Sequence, residues 1–193
     1  MRRFYYSSGR TLWILLVLHY AFTIFCQLLY TIYMIIIAID PGYERVGIAI
    51  LEKSTSKEIL LFSECFKTLA TESHEKRLLQ IGTEISNLIT KYKPEALAIE
   101  NLFFKNNAKT VMKVSEARGV MLYEAAKNDL PVSEFTPLQI KVAVTGYGKS
   151  EKSQVIEMVK RLIKIDKIIK HDDEYDAIAA GLTFFASINS IKK

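Results

Sequence analysis

The sequence predicts an α/β domain with a mixed five-stranded sheet flanked by helices. Three short apolar segments come first, between residues 35 and 66, and Pro-Gly or polar turns separate them as in an antiparallel meander. Two further apolar segments, at 95–100 and 132–135, each follow a segment with helical spacing. A strand that returns after a crossover helix commonly lies parallel to an earlier strand, so we expect both orientations in one sheet.

Hydrophobic periodicity places each element in order. The predicted strands are 35–39, 46–51, 59–66, 95–100 and 132–135, and the predicted helices are 73–92, 108–128, 152–164 and 174–187. The first helix shows apolar residues at helical spacing from Leu78 to Ile89, and Pro94 ends it. A right-handed crossover would bring the ends of the first and fourth strands to the same edge of the sheet.

The first 33 residues differ in composition from the rest. Residues 11–33 are 23 residues without a charged side chain, enough at about 1.5 Å per residue to cross a bilayer core of roughly 30 Å. However, the three arginines of residues 1–33 all precede this segment, so a membrane helix here would export everything after it. In addition, no linker separates the segment from the first strand. We therefore expect residues 1–33 to lie upstream of a true start at Met34, with a membrane helix or a cleaved signal peptide as alternatives.

Composition indicates one domain with a substantial core, because half of the 193 residues are hydrophobic. The net charge is +5, but three arginines in residues 1–33 contribute +3, which leaves +2 for the remainder. Local basic patches, more than a globally positive surface, would then hold a nucleic-acid ligand. Two cysteines argue against a disulfide-stabilised secreted protein and favour a reducing compartment, so we expect a cytoplasmic location.

Four acidic residues occupy positions from which folding could bring them together. Asp40 and Glu100 each end an apolar strand, and Asp173 and Asp176 share one face at the start of the last helix. Clustered carboxylates repel one another, so such a cluster usually persists because cations occupy it. The pattern therefore predicts a metal site.

The ligand types favour magnesium over zinc at this site. Magnesium accepts carboxylate oxygens and substrate phosphate oxygens, whereas zinc prefers His or Cys. The two cysteines form no CxxC motif, and the three histidines show no ligand spacing. We therefore do not expect a zinc site in this chain.

Each acid also has a structural interpretation. An Asp before Pro-Gly is often a turn residue, and acids in a first helical turn complement the helix dipole. We expect Asp172 and Glu174 to do only that. The joint placement of the other four acids is what favours a functional site.

Five segments stand out in order along the chain. They are Ala38–Gly42 (AIDPG), Ala98–Phe103 (AIENLF), Ser115–Val120 (SEARGV), Gly146–Val155 (GYGKSEKSQV) and Asp173–Ala177 (DEYDA). Together they resemble the RuvC family of Holliday junction resolvases, which has a ribonuclease H-like fold. The resemblance covers residues 34–190, the predicted nuclease domain, and the extension 1–33 has no counterpart in the family.

The resemblance implies the roles of the acids. Asp40, Glu100, Asp173 and Asp176 match the family's four catalytic acids, which hold two magnesium ions per subunit, with manganese as a substitute. The implied reaction is hydrolysis of DNA phosphodiester bonds, with two metals clamping the attacking and leaving oxygens. Its products would be nicks with 5'-phosphate and 3'-hydroxyl ends.

Three further residues match DNA-contacting positions of the family. Phe103 matches an aromatic residue that stacks on an unpaired base, and Lys141 and Lys152 match lysines that contact DNA or assist cleavage. A core position for Phe103 and solvated helix positions for both lysines are the structural alternatives.

The resemblance also implies partners. The family acts as a homodimer on four-way junction DNA, making paired symmetric nicks in recombination and DNA repair, and RuvA and RuvB are candidate partners. Helix 108–128 carries more apolar residues than one stripe needs, which makes it our candidate dimer interface.

Other functions remain open at this point. They are a ribonuclease H-like nuclease that processes ribosomal RNA precursors, a membrane-tethered DNA-binding protein, and an actin-like ATPase or sugar kinase. The last would need a second phosphate loop and a larger chain.

Overall fold

The computed structural model describes residues 19–20, 33–54, 57–102 and 108–191 of the chain. From residue 33 onward these form five strands and five helices. The elements are β1 (Met34–Asp40), β2 (Arg45–Lys53), β3 (Glu58–Lys67), α1 (His74–Tyr92), β4 (Ala96–Glu100), α2 (Ala108–Lys127), β5 (Val132–Phe135), α3 (Pro137–Thr145), α4 (Lys152–Leu162) and α5 (Asp172–Ile191).

The strands form one sheet in the order β3-β2-β1-β4-β5. β1, β2 and β3 pair antiparallel, whereas β4 is parallel to both β1 and β5. The predicted mixed five-stranded sheet is therefore confirmed. β1 is central, with Ile39 paired to Ile99, so β1 and β4 end side by side.

Helices cover both faces of the sheet. Ile37 and Ile39 face the layer formed by α1 and α2, whereas Ile36 and Ala38 face α3, α4 and α5. Alternate side chains of a strand point to opposite faces, so a strand buried on both sides needs apolar residues at every position. This explains the continuous run of apolar residues in β1.

The short helix α3 is an element that the sequence analysis does not predict. It begins at a capping box in which the Thr136 hydroxyl accepts from the Gln139 backbone N–H, and it ends at Gly146, which has a φ of 75°. Ile140 and Val144 supply its only two buried positions within nine residues. That is too short a periodic signal to recognise without the caps.

No helix among the described residues is long and apolar enough to cross a membrane. Of the predicted extension, only residues 19–20 and 33 are described. The interpretation of residues 1–33 therefore stays a prediction.

Candidate active site

Asp40 and Glu100 lie next to each other at the ends of β1 and β4. Each is two residues beyond an alanine, Ala38 or Ala98, that faces α5, so strand alternation points both carboxylates to the α5 side. The two half-buried side chains share a hydrogen bond. The crossover predicted from the sequence thus brings these two acids together.

Helix α5 brings Asp173 and Asp176 to the same face of the sheet. Its first turn lies against β2, where the backbone carbonyl of Asp173 would be 1.9 Å from a β-carbon added to Gly47. Gly47 is also the register partner of Asp40. Only a glycine at this position lets the helix approach closely enough to join its carboxylates to those of the strands.

The four carboxylates interact electrostatically. Burial, followed by the charges of Glu100, Asp176 and Asp173, raises the pKa of Asp40 well above its ordinary value. Burial and the charge of Asp176 raise the pKa of Glu100 to about 7, and burial raises the pKa of Asp176. An oxygen-only donor set with such mutual repulsion suits a hard divalent cation, so the cluster is a candidate metal site.

Lys152 lies directly beside this cluster, at the first helical residue of α4. Its ammonium is 2.7 Å from Asp176 Oδ2 and 2.5 Å from Asp172 Oδ2. Burial alone would lower the pKa of Lys152, but the hydrogen bonds to both carboxylates raise it above its ordinary value. The lysine therefore remains a cation at neutral pH.

The expectation that Asp172 and Glu174 only complement the helix dipole is wrong. Asp172 holds Lys152, and this contact lowers the pKa of Asp172. Glu174 is buried, accepts a hydrogen bond from Ser63 Oγ at 3.0 Å and lies 2.6 Å from Lys167 Nζ. Both residues position the catalytic candidates, because they tie the start of α5 to α4 and β3.

Lys141 reaches the same place from α3. A pocket of about 250 Å³ opens beside the carboxylate cluster and has polar and apolar walls. Its lining residues are Glu100, Pro137, Ile140, Lys141, Lys152, Val155 and Asp176. Both predicted lysines therefore lie with two of the predicted acids around one cavity.

Phe103 lies outside the described residues, as do positions 104–107 between β4 and α2. Its predicted role in base stacking stays a prediction.

Cys65, Arg45 and His171 also lie close to Asp173. The Cys65 thiol lies 3.6 Å from Asp173 Oδ2, and Arg45 Nε lies 3.5 Å from the same oxygen. Burial and the Asp173 charge raise the pKa of Cys65 to about 11. Sequence spacing reveals no mixed Cys and His ligand set, yet the fold brings ligand atoms of Cys65, His171 and Asp173 within 4.8 Å of one another.

Comparison with known proteins relates this geometry to a family. A family model described as "Crossover junction endodeoxyribonuclease RuvC" matches residues 36–184. The chain belongs to the RuvC family. A RuvC protein of Natranaerobius thermophilus is 44% identical over 149 residues, which is 77% of this chain and 92% of that protein. One from Thermosipho melanesiensis is 48% identical over 148 residues, 77% of this chain and 94% of that protein.

Solved RuvC structures share the fold. The structure titled "T. thermophilus RuvC in complex with Holliday junction substrate" has a TM-score of 0.75 and 30% identity, and it covers 81% of this chain and 97% of that one. The yeast mitochondrial Holliday junction resolvase matches 79% of this chain and 78% of its own, with a TM-score of 0.57 at 16% identity, and it supports the fold alone. The ribonuclease H-like fold and the RuvC resemblance are confirmed, and these relatives give no support to the alternative functions.

Proposed function

We propose that this chain is a cytoplasmic, structure-selective endodeoxyribonuclease that resolves Holliday junctions by paired symmetric nicks during recombination and repair. The observation that carries the proposal is the convergence of Asp40, Glu100, Asp173 and Asp176 beside two lysines, in a member of the RuvC family. The related RuvC protein of T. thermophilus has been solved in complex with Holliday junction substrate.

The four carboxylates are the proposed ligands of two magnesium ions, which manganese could replace. When bound, the ions supply Lewis acidity and lower the pKa of a coordinated water. Asp40 belongs to the central strand, and its carboxylate interacts electrostatically with each of the other three acids, so it would be the central member of this ligand set.

The lysines supply positive charge around the scissile phosphate. Hydrogen bonds from Lys152 to Asp172 and Asp176 raise its pKa, so it acts as a cation and not as a general base. Lys141 faces the same cavity from α3. Fixed cations at that place stabilise charge that develops on the phosphate oxygens in the transition state.

The two cuts require two active sites, so we propose a homodimer. A groove of about 480 Å³ runs between α1 and α2, and exposed apolar side chains border it. Leu79 is 68% exposed and Tyr123 is 63% exposed, and both line the groove with Val120. Apolar surface of this kind marks an interaction site, in line with the role predicted for helix 108–128. RuvA and RuvB remain proposed partners on family grounds alone.

Cleavage of a synthetic four-way junction tests the proposed activity. Asp40→Asn and Glu100→Gln keep side-chain volume but remove ligand charge, so we expect cleavage to fall by orders of magnitude while junction binding persists. Asp166→Asn is the matched control, because Asp166 is an exposed acid paired only with Lys164 among the described residues. Cleavage that survives exhaustive chelation of divalent metals would rule out the metal-dependent mechanism, and preferential cutting of ribosomal RNA precursors would favour the alternative nuclease.

Sedimentation tests the proposed interface. Leu79→Glu and Tyr123→Glu place a charge in the α1–α2 groove and should produce monomers that make single, uncoupled nicks. Ile168→Glu is the control, because Ile168 is 88% exposed and does not line this groove. A dimer that tolerates both groove variants would place the interface elsewhere.

A further inference from the structure

Asp173 lies between two different sets of side chains. On one side is the all-carboxylate cluster, where Asp173 contributes to the raised pKa of Asp40. On the other side are Cys65 and His171, whose ligand atoms lie with an Asp173 oxygen inside a span of 4.8 Å. The second set differs in chemistry, because it offers a thiol sulfur and an imidazole nitrogen.

The sheet register fixes this second arrangement. Gly47 pairs with Asp40 on β1 and with Cys65 on β3, so the three residues form one row across the sheet and share its α5 face. The backbone of Asp173 lies over the glycine in the middle of that row. The Asp173 carboxylate is thereby within reach of residues on either side.

His171 belongs to the same rigid framework. It lies immediately before α5, and its backbone carbonyl accepts a hydrogen bond from the Glu174 backbone N–H at 3.3 Å. Since Glu174 is tied to Ser63 and Lys167, the start of the helix is held against β3 next to Cys65. The imidazole therefore approaches the thiol from a fixed backbone position.

A set of one sulfur, one nitrogen and one carboxylate oxygen suits zinc, whereas magnesium prefers oxygen ligands alone. Bonds of about 2.0 to 2.3 Å from a tetrahedral ion separate neighbouring ligand atoms by roughly 3.3 to 3.8 Å. The Cys65 Sγ to Asp173 Oδ2 distance of 3.6 Å already falls in that range. Three protein ligands would leave the fourth position for water.

The local charges also fit a divalent ion. A thiolate and a carboxylate together would balance the two positive charges of zinc, with a neutral imidazole as third ligand. Arg45 now occupies part of this space, 3.5 Å from Asp173 Oδ2. Its side chain is 51% exposed, so it can turn to solvent when a metal replaces it.

We propose that Cys65, His171 and Asp173 form a zinc site that shares Asp173 with the carboxylate cluster, so that zinc occupancy inhibits the nuclease. The proposal that zinc binds here depends only on the positions of these three side chains. The inhibition rests on the proposed function, because it requires that Asp173 serve in metal-dependent cleavage.

Direct metal binding is the first test, and it needs no nuclease activity. The full chain is titrated with zinc in competition with a chromophoric chelator, and with cobalt to detect a thiolate-to-metal absorption band. We expect Cys65→Ser and His171→Gln each to weaken zinc binding at least tenfold, and Cys65→Ser to abolish the thiolate band. Cys26→Ser is the matched thiol control and should change neither measurement.

Two results would contradict the proposed zinc site. Unchanged zinc affinity in both variants, or no thiolate band in the wild-type protein, overturns the site. Circular dichroism and melting temperature establish that each variant is folded, and Cys65→Ala serves if the serine variant is not. His171→Gln alone decides the question if neither Cys65 variant folds.

Inhibition is the second test. Magnesium-supported junction cleavage is measured with increasing zinc, and each variant is normalised to its own zinc-free rate. The wild-type protein should lose activity at zinc concentrations that Cys65→Ser and His171→Gln tolerate at least tenfold better. Equal zinc sensitivity in all three would place inhibitory zinc in the carboxylate cluster and overturn the shared site. Absence of cleavage in every zinc-free sample would contradict the proposed function and leave the binding result standing.

Discussion

The backbone carbonyl of Asp173 lies so close to Gly47 that a β-carbon at residue 47 would approach it to 1.9 Å. The neighbouring atom is backbone, so it cannot move aside by a rotamer change. Any larger residue at position 47 must push the start of α5 away from β2, and with it one half of the carboxylate cluster.

Gly47→Ala should therefore impair cleavage more than a surface substitution of the same type. We expect a loss of about 1 to 3 kcal/mol in the free energy of unfolding, typical of overpacking, and a fall of at least tenfold in junction cleavage per folded molecule. Gly119→Ala is the control, because a β-carbon there meets nothing within 4 Å and alanine favours a helix. Thermal melts and single-turnover cleavage check both variants, and a Gly47→Ala protein with normal values would show that α5 tolerates the shift.

Glu100 should make the metal-free protein less stable as pH rises. Folding raises its pKa from 4.5 to about 7, so the folded state binds this proton more tightly than the unfolded state does. The resulting stabilisation is complete below about pH 4.5 and is lost as pH approaches 7. At pH 7.5 the free energy of unfolding of Glu100→Gln should then exceed that of the wild-type protein by about 2 kcal/mol, and its melting temperature should be higher. At pH 4.5 the two proteins should differ little in stability.

Melting curves across this pH range, without divalent metal, test the effect. Glu157→Gln removes an exposed carboxylate that pairs with Arg161 and should show no such pH trend. Saturating magnesium should remove the advantage of Glu100→Gln, because the metal stabilises only the form that retains its ligand. A difference between variant and wild type that stays constant with pH would contradict the raised pKa.

Lys141 and Lys152 should contribute differently to DNA binding and DNA cleavage. Lys152→Met removes the cation beside Asp176 and Asp172, so cleavage should fall about 10- to 100-fold. Lys141→Met should mainly weaken junction binding and reduce the slope of log affinity against log salt by about 0.9, the value for one phosphate contact. Lys164→Met, at an exposed lysine outside the cavity, is the control. An unchanged salt slope would remove Lys141 from the DNA contacts.

Phe103→Ala should reduce junction cleavage without a large change in melting temperature. Stacking on an unpaired base is worth about 1 to 3 kcal/mol, whereas truncation of a buried Phe costs about 3 to 5 kcal/mol of stability. Phe185→Ala provides the reference for a core position, since Phe185 is 1% exposed. A melting shift as large as that of Phe185→Ala, with normal activity per folded molecule, would place Phe103 in the core.

Protein that begins at Met34 should cleave junctions as fast as the 193-residue chain. The family model matches residues 36–184, and every residue assigned to the carboxylate cluster lies within that range. Fractionation of cells that express each form, followed by cleavage assays, measures both location and activity. An inactive short form, together with native full-length protein in the membrane fraction, would establish a function for residues 1–33.

The central features could be predicted because they leave a local trace in the sequence. The run of apolar residues before Asp40 and the crossover before Glu100 define two strands whose ends must meet. The helical spacing of Asp173 and Asp176 defines their common face. What the acids bind remains a prediction.

Other features depend on contacts that no local pattern encodes. Glu174 resembles any acid of a first helical turn until β3 places Ser63 against it, 111 residues away in sequence. Cys65 meets Asp173 across 108 residues, through a register that only the assembled sheet defines. Helix α3 is short, so its capping residues carry more information than its two buried side chains.

The row formed by Asp40, Gly47 and Cys65 also makes catalysis depend on correct strand pairing. A slip of one residue between β1 and β2 would turn Gly47 to the other face and bring Val46 or Ile48 opposite Asp40. Helix α5 could not then approach, and the acids would stay apart. A copy of the chain with mispaired strands would therefore lack the assembled carboxylate cluster, so we expect it not to cut DNA before its fold is complete.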